Sequence, residues 1–154
     1  MATRNLRYYG DPILRKKCRE VKVIDDKIRQ ILEDMADTLR ETENGVAIAA
    51  NQVGILKRLV VIRYEGSFLK LVNPVITDQS GAQECNEACL SFPGRCVKTL
   101  RPQSAAIKAQ NECGEEITLT GQGWLAQCFC HELEHLDGEI FLDKAIGDAV
   151  PKAV

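Results

Sequence analysis

The chain of 154 residues has only two histidines, and both fall in one five-residue run, His131-Glu132-Leu133-Glu134-His135. On an α-helix, residues four apart project about 40° from one another, so both imidazoles would face one way, one turn apart. Two neutral imidazoles so placed hold a transition metal, and the glutamate between them can activate a water on that ion. Chance also puts pairs of histidines on surface helices. Trp124, Leu125 and Phe129 just upstream argue for a largely buried helix instead.

A catalytic site of this type takes three protein ligands and leaves a position open. The long metalloprotease motif would place a third histidine six residues after His135, with a glycine midway. Gly138 fits that pattern, but the ligand slot holds Phe141. Glu139, Asp143 and Asp148 are the downstream alternatives, and Glu139 is too near His135 to wrap round. The third donor is therefore expected upstream, with cysteine thiolate the natural choice.

Seven cysteines are available. Cys128 and Cys130 share the histidine helix, about 60° and 100° round from His131, and read as packing residues. Cys18, Cys96 and Cys113 are isolated and read as small buried hydrophobes or inert surface thiols. Cys85 and Cys89 remain open. Position favours Cys89, which precedes the chain-stiffening Pro93-Gly94 in a segment that does not read as strand.

The length suits one domain over residues 1–154, which at this size buries roughly 68–70% of the surface its unfolded chain exposes. A net charge of −2 gives no reason to expect direct nucleic-acid or membrane binding. No apolar run approaches the roughly 20 residues of a membrane span. The start, Met1 to Arg7, lacks the apolar core of a secretory signal. An odd cysteine count without regular spacing reads as reduced thiols in a cytosol rather than a disulfide scaffold.

The histidine helix is expected from about Gly123 to Leu136, closed by Gly138. Asp25 or Asp26 can cap an earlier helix with a core stripe of Ile28, Ile31, Leu32, Met35 and Leu39, stopped by Asn44-Gly45. Strands are expected at residues 59–64, 68–72, 75–77, 97–100, 105–109 and 117–120, with a polar loop after Thr77. Glu65-Gly66-Ser67 and Cys113-Gly114 mark turns. Residues 45–54 are small and allow close backbone approach, for packing or for a ligand lying along a strand. The tail after Asp143 is read as unstructured. Short strands between two helices make an α+β fold: small antiparallel or mixed sheets round the C-terminal histidine helix, with one N-terminal helix.

Gly45-Val46-Ala47-Ile48-Ala49-Ala50-Asn51-Gln52-Val53-Gly54, Glu87-Ala88-Cys89-Leu90-Ser91 and His131-Glu132-Leu133-Glu134-His135-Leu136-Asp137-Gly138 resemble, in order, the three motifs of the peptide deformylases. Tyr9-Gly10-Asp11-Pro12-Ile13-Leu14-Arg15 resembles that family's opening, and the likeness runs from about Leu6 to Asp143. The resemblance implies removal of the formyl group from N-formylmethionyl peptides of new proteins, near the ribosome. It implies a single divalent metal, typically iron(II) with zinc, nickel or cobalt as substitutes, held by Cys89, His131 and His135. Glu132 would be the general base, with the Gln52 amide and the Leu90 N–H stabilising the oxyanion. The peptide would lie extended along Gly45, Val46, Ala47, Glu87 and Ala88, with Trp124, Gln127 and Cys128 shaping the methionine pocket. A likeness beginning near Leu6 leaves no room for a transit peptide, so a bacterial-type cytoplasm is expected.

Ala47 and Ala88 stand where that family usually has glycine, Cys130 where it has glutamine, Asn51 where proline or threonine is common, and Glu134 where aspartate is usual. None removes a ligand, the base or an oxyanion donor. The alanines raise the alternative of a catalytically weak or inactive metal- and peptide-binding protein, since a left-handed alanine costs roughly 1–2 kcal/mol. A zincin-type endopeptidase is disfavoured by Phe141.

Overall fold

Asp25 starts the first helix, α1 (Asp26–Arg40), by accepting a hydrogen bond from the Ile28 N–H at 3.0 Å. Ile28, Leu32, Met35 and Leu39 form its buried stripe, as their spacing requires. The helix stops short of Asn44-Gly45, because both the backbone N–H and the hydroxyl of Thr42 turn back to the Leu39 carbonyl. The computed structural model describes residues 2–146 and 150–151, so Asp148 lies outside the described residues.

Two antiparallel sheets follow. The five-stranded one has the order β1-β2-β3-β6-β7, made of β1 (Ala47–Ala49), β2 (Leu59–Tyr64), β3 (Ser67–Ser80), β6 (Ser104–Gln110) and β7 (Glu116–Gln122). The second joins β4 (Gln83–Glu87), β5 (Arg95–Arg101) and β8 (Val150–Pro151). The expected α+β class is the observed one.

Three expectations about the elements need correction. Residues 68–72 and 75–77 belong to one continuous strand, β3, rather than two. Asn73-Pro74 makes a bulge in it, the pairing register with β6 shifting between Val72 and Val75. Asn73 takes a left-handed φ of 53° there, and its carboxamide holds both the N–H and the carbonyl of Val21 at 2.8 Å. The polar loop after Thr77 is in fact the end of β3 and the whole of β4. Among the described residues the tail after Asp143 does carry structure: Lys144 closes the 3₁₀ turn Phe141–Lys144, Ala145 bridges to Thr99, and β8 pairs with β5.

The second helix, α2 (Trp124–Leu136), packs its apolar face on the five-stranded sheet. Leu125, Ala126, Phe129, Leu133 and Leu136 meet Ala49, Val60, Ile62, Leu71 and Ile107. Each large side chain so buried contributes about 1.5–3 kcal/mol, which anchors a helix whose other face is polar. Trp124 departs from the buried reading: it is 48% exposed and stacks on Tyr64 with ring centroids 5.9 Å apart. Gly138 ends the helix at φ 77°, and any Cβ there would lie 2.4 Å from the Arg15 carbonyl oxygen. Only glycine fits.

Candidate metal centre

The buried histidines of α2 face the segment that leaves β4. That segment carries Cys89, whose Sγ lies 3.3 Å from His135 Nε2. One donor atom each from Cys89, His131 and His135 fall within 4.8 Å of one another. Standard metal–sulfur and metal–nitrogen lengths in a tetrahedral shell put such atoms about 3.5 Å apart, so the three can share one small cation. The neighbouring candidate Cys85 stays inside β4, buried, with its thiol pKa raised by burial and by Glu87. Glu139 is paired with Lys144 and Asp143 with Arg15.

A charged lattice stands behind His131. Its Nδ1 lies 2.8 Å from Glu87 Oε1, the arrangement that turns the other ring nitrogen outward and raises its basicity as a ligand. Glu87 also accepts from the Thr99 hydroxyl and from Arg101, through Nε at 2.5 Å and Nη2 at 2.9 Å. Arg101 Nη1 reaches Glu134 Oε2 at 2.6 Å. Burial opposes the charge on Glu87, yet Arg101 and His131 outweigh it and hold the carboxyl at about 2. Glu87 was expected beside the peptide; its side chain is fully buried and faces His131 instead. Arg101 and Thr99 were not singled out from sequence. Their signal was the alternation of β5, which puts Val97, Thr99 and Arg101 on the inward face.

Glu132 sits beside the histidines, buried, with Oε2 4.0 Å from His131 Nε2. Its Oε1 has no hydrogen-bond partner among the described residues. Burial pushes this carboxyl up to about 7, with His131 pulling it down and Glu87 pushing it up. A carboxyl poised there, with one oxygen free, can both take and return a proton near neutrality.

Gln52 lies in a 3₁₀ turn, Ala50–Val53, that follows β1. Its Oε1 accepts the Ala49 N–H at 2.9 Å, which turns the amide nitrogen towards Ser91 Oγ at 3.1 Å and Cys89 Sγ at 3.4 Å. The Leu90 N–H makes no hydrogen bond among the described residues. Ser91, fully buried and bound to Gln52, was not singled out from sequence.

A cleft of about 460 Å³ opens over these groups, with Val46, Ala47, Ala88, Cys89, Leu90, His131 and Glu132 in its lining. It adjoins a pocket of about 300 Å³ edged by Val46, Ala88, Trp124, Gln127 and Cys128, again with His131 and Glu132. Strand β1 ends the sheet beside the cleft, so one of its edges is unpaired. Gly45 backs the cleft rather than lining it, and a Cβ there would meet Thr42 Oγ1 at 2.1 Å. Ala47 and Ala88 are not among the described non-glycine residues with positive φ, which are Glu65 and Asn73. The two extra methyl groups therefore cost no left-handed strain.

The family model described as polypeptide deformylase matches residues 3–149. Peptide deformylase 2 of Clostridium acetobutylicum is 59% identical over 143 residues, 93% of this chain and 95% of that protein. The peptide deformylase of Acetivibrio thermocellus is 47% identical over 146 residues, 95% of this chain and 85% of that one. Among solved structures, the Thermotoga maritima deformylase superposes with a TM-score of 0.91 at 32% identity, covering 96% of this chain and 100% of its own. That of Synechococcus elongatus, crystallised in complex with actinonin, gives 0.90 at 36%, covering 96% and 81%.

Proposed function

The chain belongs to the peptide deformylase family and is a peptide deformylase; from that premise we propose how its own residues carry out the reaction. The substrate is an N-formylmethionyl peptide, met on nascent chains near the ribosome in a bacterial-type cytoplasm, and residues 1–154 act as one catalytic domain. Cys89, His131 and His135 hold a single divalent ion, iron(II) by preference, with zinc, nickel or cobalt able to replace it. One thiolate and two imidazoles form a donor set suited to all four. When bound, the ion supplies Lewis acidity, polarising the formyl oxygen and acidifying water.

The chain's side chains do the rest. The peptide backbone lies extended along the free edge of β1, in the manner of an added strand. Val46, Ala47 and Ala88 flank it, with Gly45 and the backbone of Glu87 behind. The methionine side chain enters the pocket edged by Trp124, Gln127 and Cys128. Gln52 Nε2 and the Leu90 N–H donate to the formyl oxygen as it gains negative charge. Glu132 takes the proton from the attacking water and delivers it to the departing amine, releasing formate and the free peptide.

The observation that carries this reading is the pinned Gln52 carboxamide. Its oxygen is spent on Ala49, so its donor end faces Ser91 Oγ and the sulfur that closes the ligand cluster. The test is turnover of formyl-Met-Ala-Ser by the iron-loaded protein under anaerobic conditions. Wild type hydrolyses it, and Glu132→Gln lowers kcat/KM by ~10²–10⁴-fold or more. A wild type no faster than Glu132→Gln, while still binding the peptide, would mean a binding protein instead.

A further inference from the structure

His135 is fully buried, and its Nε2 is the ring atom turned to Cys89 Sγ, 3.3 Å away. A neutral imidazole that offers Nε2 as a ligand carries its proton on Nδ1. Here Nδ1 is buried and has no partner among the described residues. Asn51 is equally buried and donates Nδ2 to the His135 carbonyl oxygen at 2.6 Å. That bond settles the orientation of the carboxamide, because the flipped form would set two oxygens against each other. Asn51 Oδ1 is thereby left as a buried acceptor, also without a partner among the described residues. An orphan donor and an orphan acceptor thus sit on two residues already joined by a hydrogen bond. Buried polar groups are seldom left this way.

We propose that Asn51 is a positioning residue for His135: its Oδ1 receives the His135 Nδ1 proton through one buried water, while its Nδ2 holds the backbone of the same residue. The two imidazoles then have different supports. His131 leans on the Glu87 carboxylate, and His135 on a neutral amide. The 3₁₀ turn Ala50–Val53 consequently serves the centre twice, with Asn51 behind a ligand and Gln52 in front. This inference rests on the metal reading above.

The experiment uses the cobalt(II)-loaded protein. Proton NMR of the wild type should show two exchangeable, paramagnetically shifted imidazole N–H signals, one for each histidine. Asn51→Leu should lose or shift the His135 signal, leave that of His131 in place, and release cobalt to a chelator about 10–100-fold faster. A single N–H signal in the wild type overturns the proposal without any variant. So do an unchanged spectrum and release rate in Asn51→Leu. Absence of the sulfur-to-cobalt absorption band in wild type defeats the metal reading itself, and the inference with it.

Discussion

Glu87 shows how a side chain can matter without touching substrate. It is fully buried, yet ionised, because Arg101 and Thr99 hold one side of it and His131 the other. Deleting one partner of such a pair leaves a bare charge in the interior, which costs about 3–5 kcal/mol. Arg101→Leu is therefore expected to lower the urea midpoint by a corresponding amount, and an unchanged midpoint would show the lattice to be dispensable. His131, Glu132 and His135 stood out in the sequence because their chemistry and spacing are unusual, whereas Cys89 was favoured over Cys85 by position and by the resemblance of its segment to a family motif. Arg101, Thr99 and Ser91 did not stand out. Thr99 and Arg101 depend on strand register and on a contact between β5 and α2, and Ser91 on its contact with Gln52, none of which a linear pattern displays.

Elements were readable where burial followed a simple period, as in α1 and β6, where an apolar run marked a strand, as in β2, or where the histidine spacing marked a helix, as in α2. Strand β4 was missed because Gln83-Glu84-Cys85-Asn86-Glu87 contains almost no apolar residue; its inward positions are Cys85 and Glu87. The Glu87 charge hides an alternation that Val or Ile would have announced. The break between the halves of β3 misled for a different reason. Asn73-Pro74 carries the signature of a turn, and the chain uses it as a bulge that grips Val21. Asn73→Ala should lose two hydrogen bonds worth about 1 kcal/mol each and add about 1–2 kcal/mol of left-handed strain. Asn73→Gly should lose only the bonds. Equal denaturation midpoints for the two variants would remove strain from the explanation.

The fold distributes its thiols unevenly. All seven cysteines are free, Cys113 is exposed, and Cys18, Cys85, Cys128 and Cys130 are buried. Burial pushes the Cys18 thiol up to about 11, with Arg58 only partly offsetting it. Since a raised thiol pKa favours the protonated form, Cys18 stays unreactive until the pH approaches that value. Brief alkylation of the native protein at pH 8, followed by peptide mapping, should label Cys113 and spare Cys18. Equal labelling would mean that the sheet opens far more readily than its packing implies.

The sheets, helices and charged lattice converge on one sulfur and two ring nitrogens. Anaerobic metal analysis of wild type, Cys85→Ala and Cys89→Ala, each purified with iron, tests that convergence. Wild type and Cys85→Ala are expected to carry about one equivalent, and Cys89→Ala far less, as follows when one of three ligands is removed. A full equivalent in Cys89→Ala, or its loss in Cys85→Ala alone, would contradict the assignment of the centre.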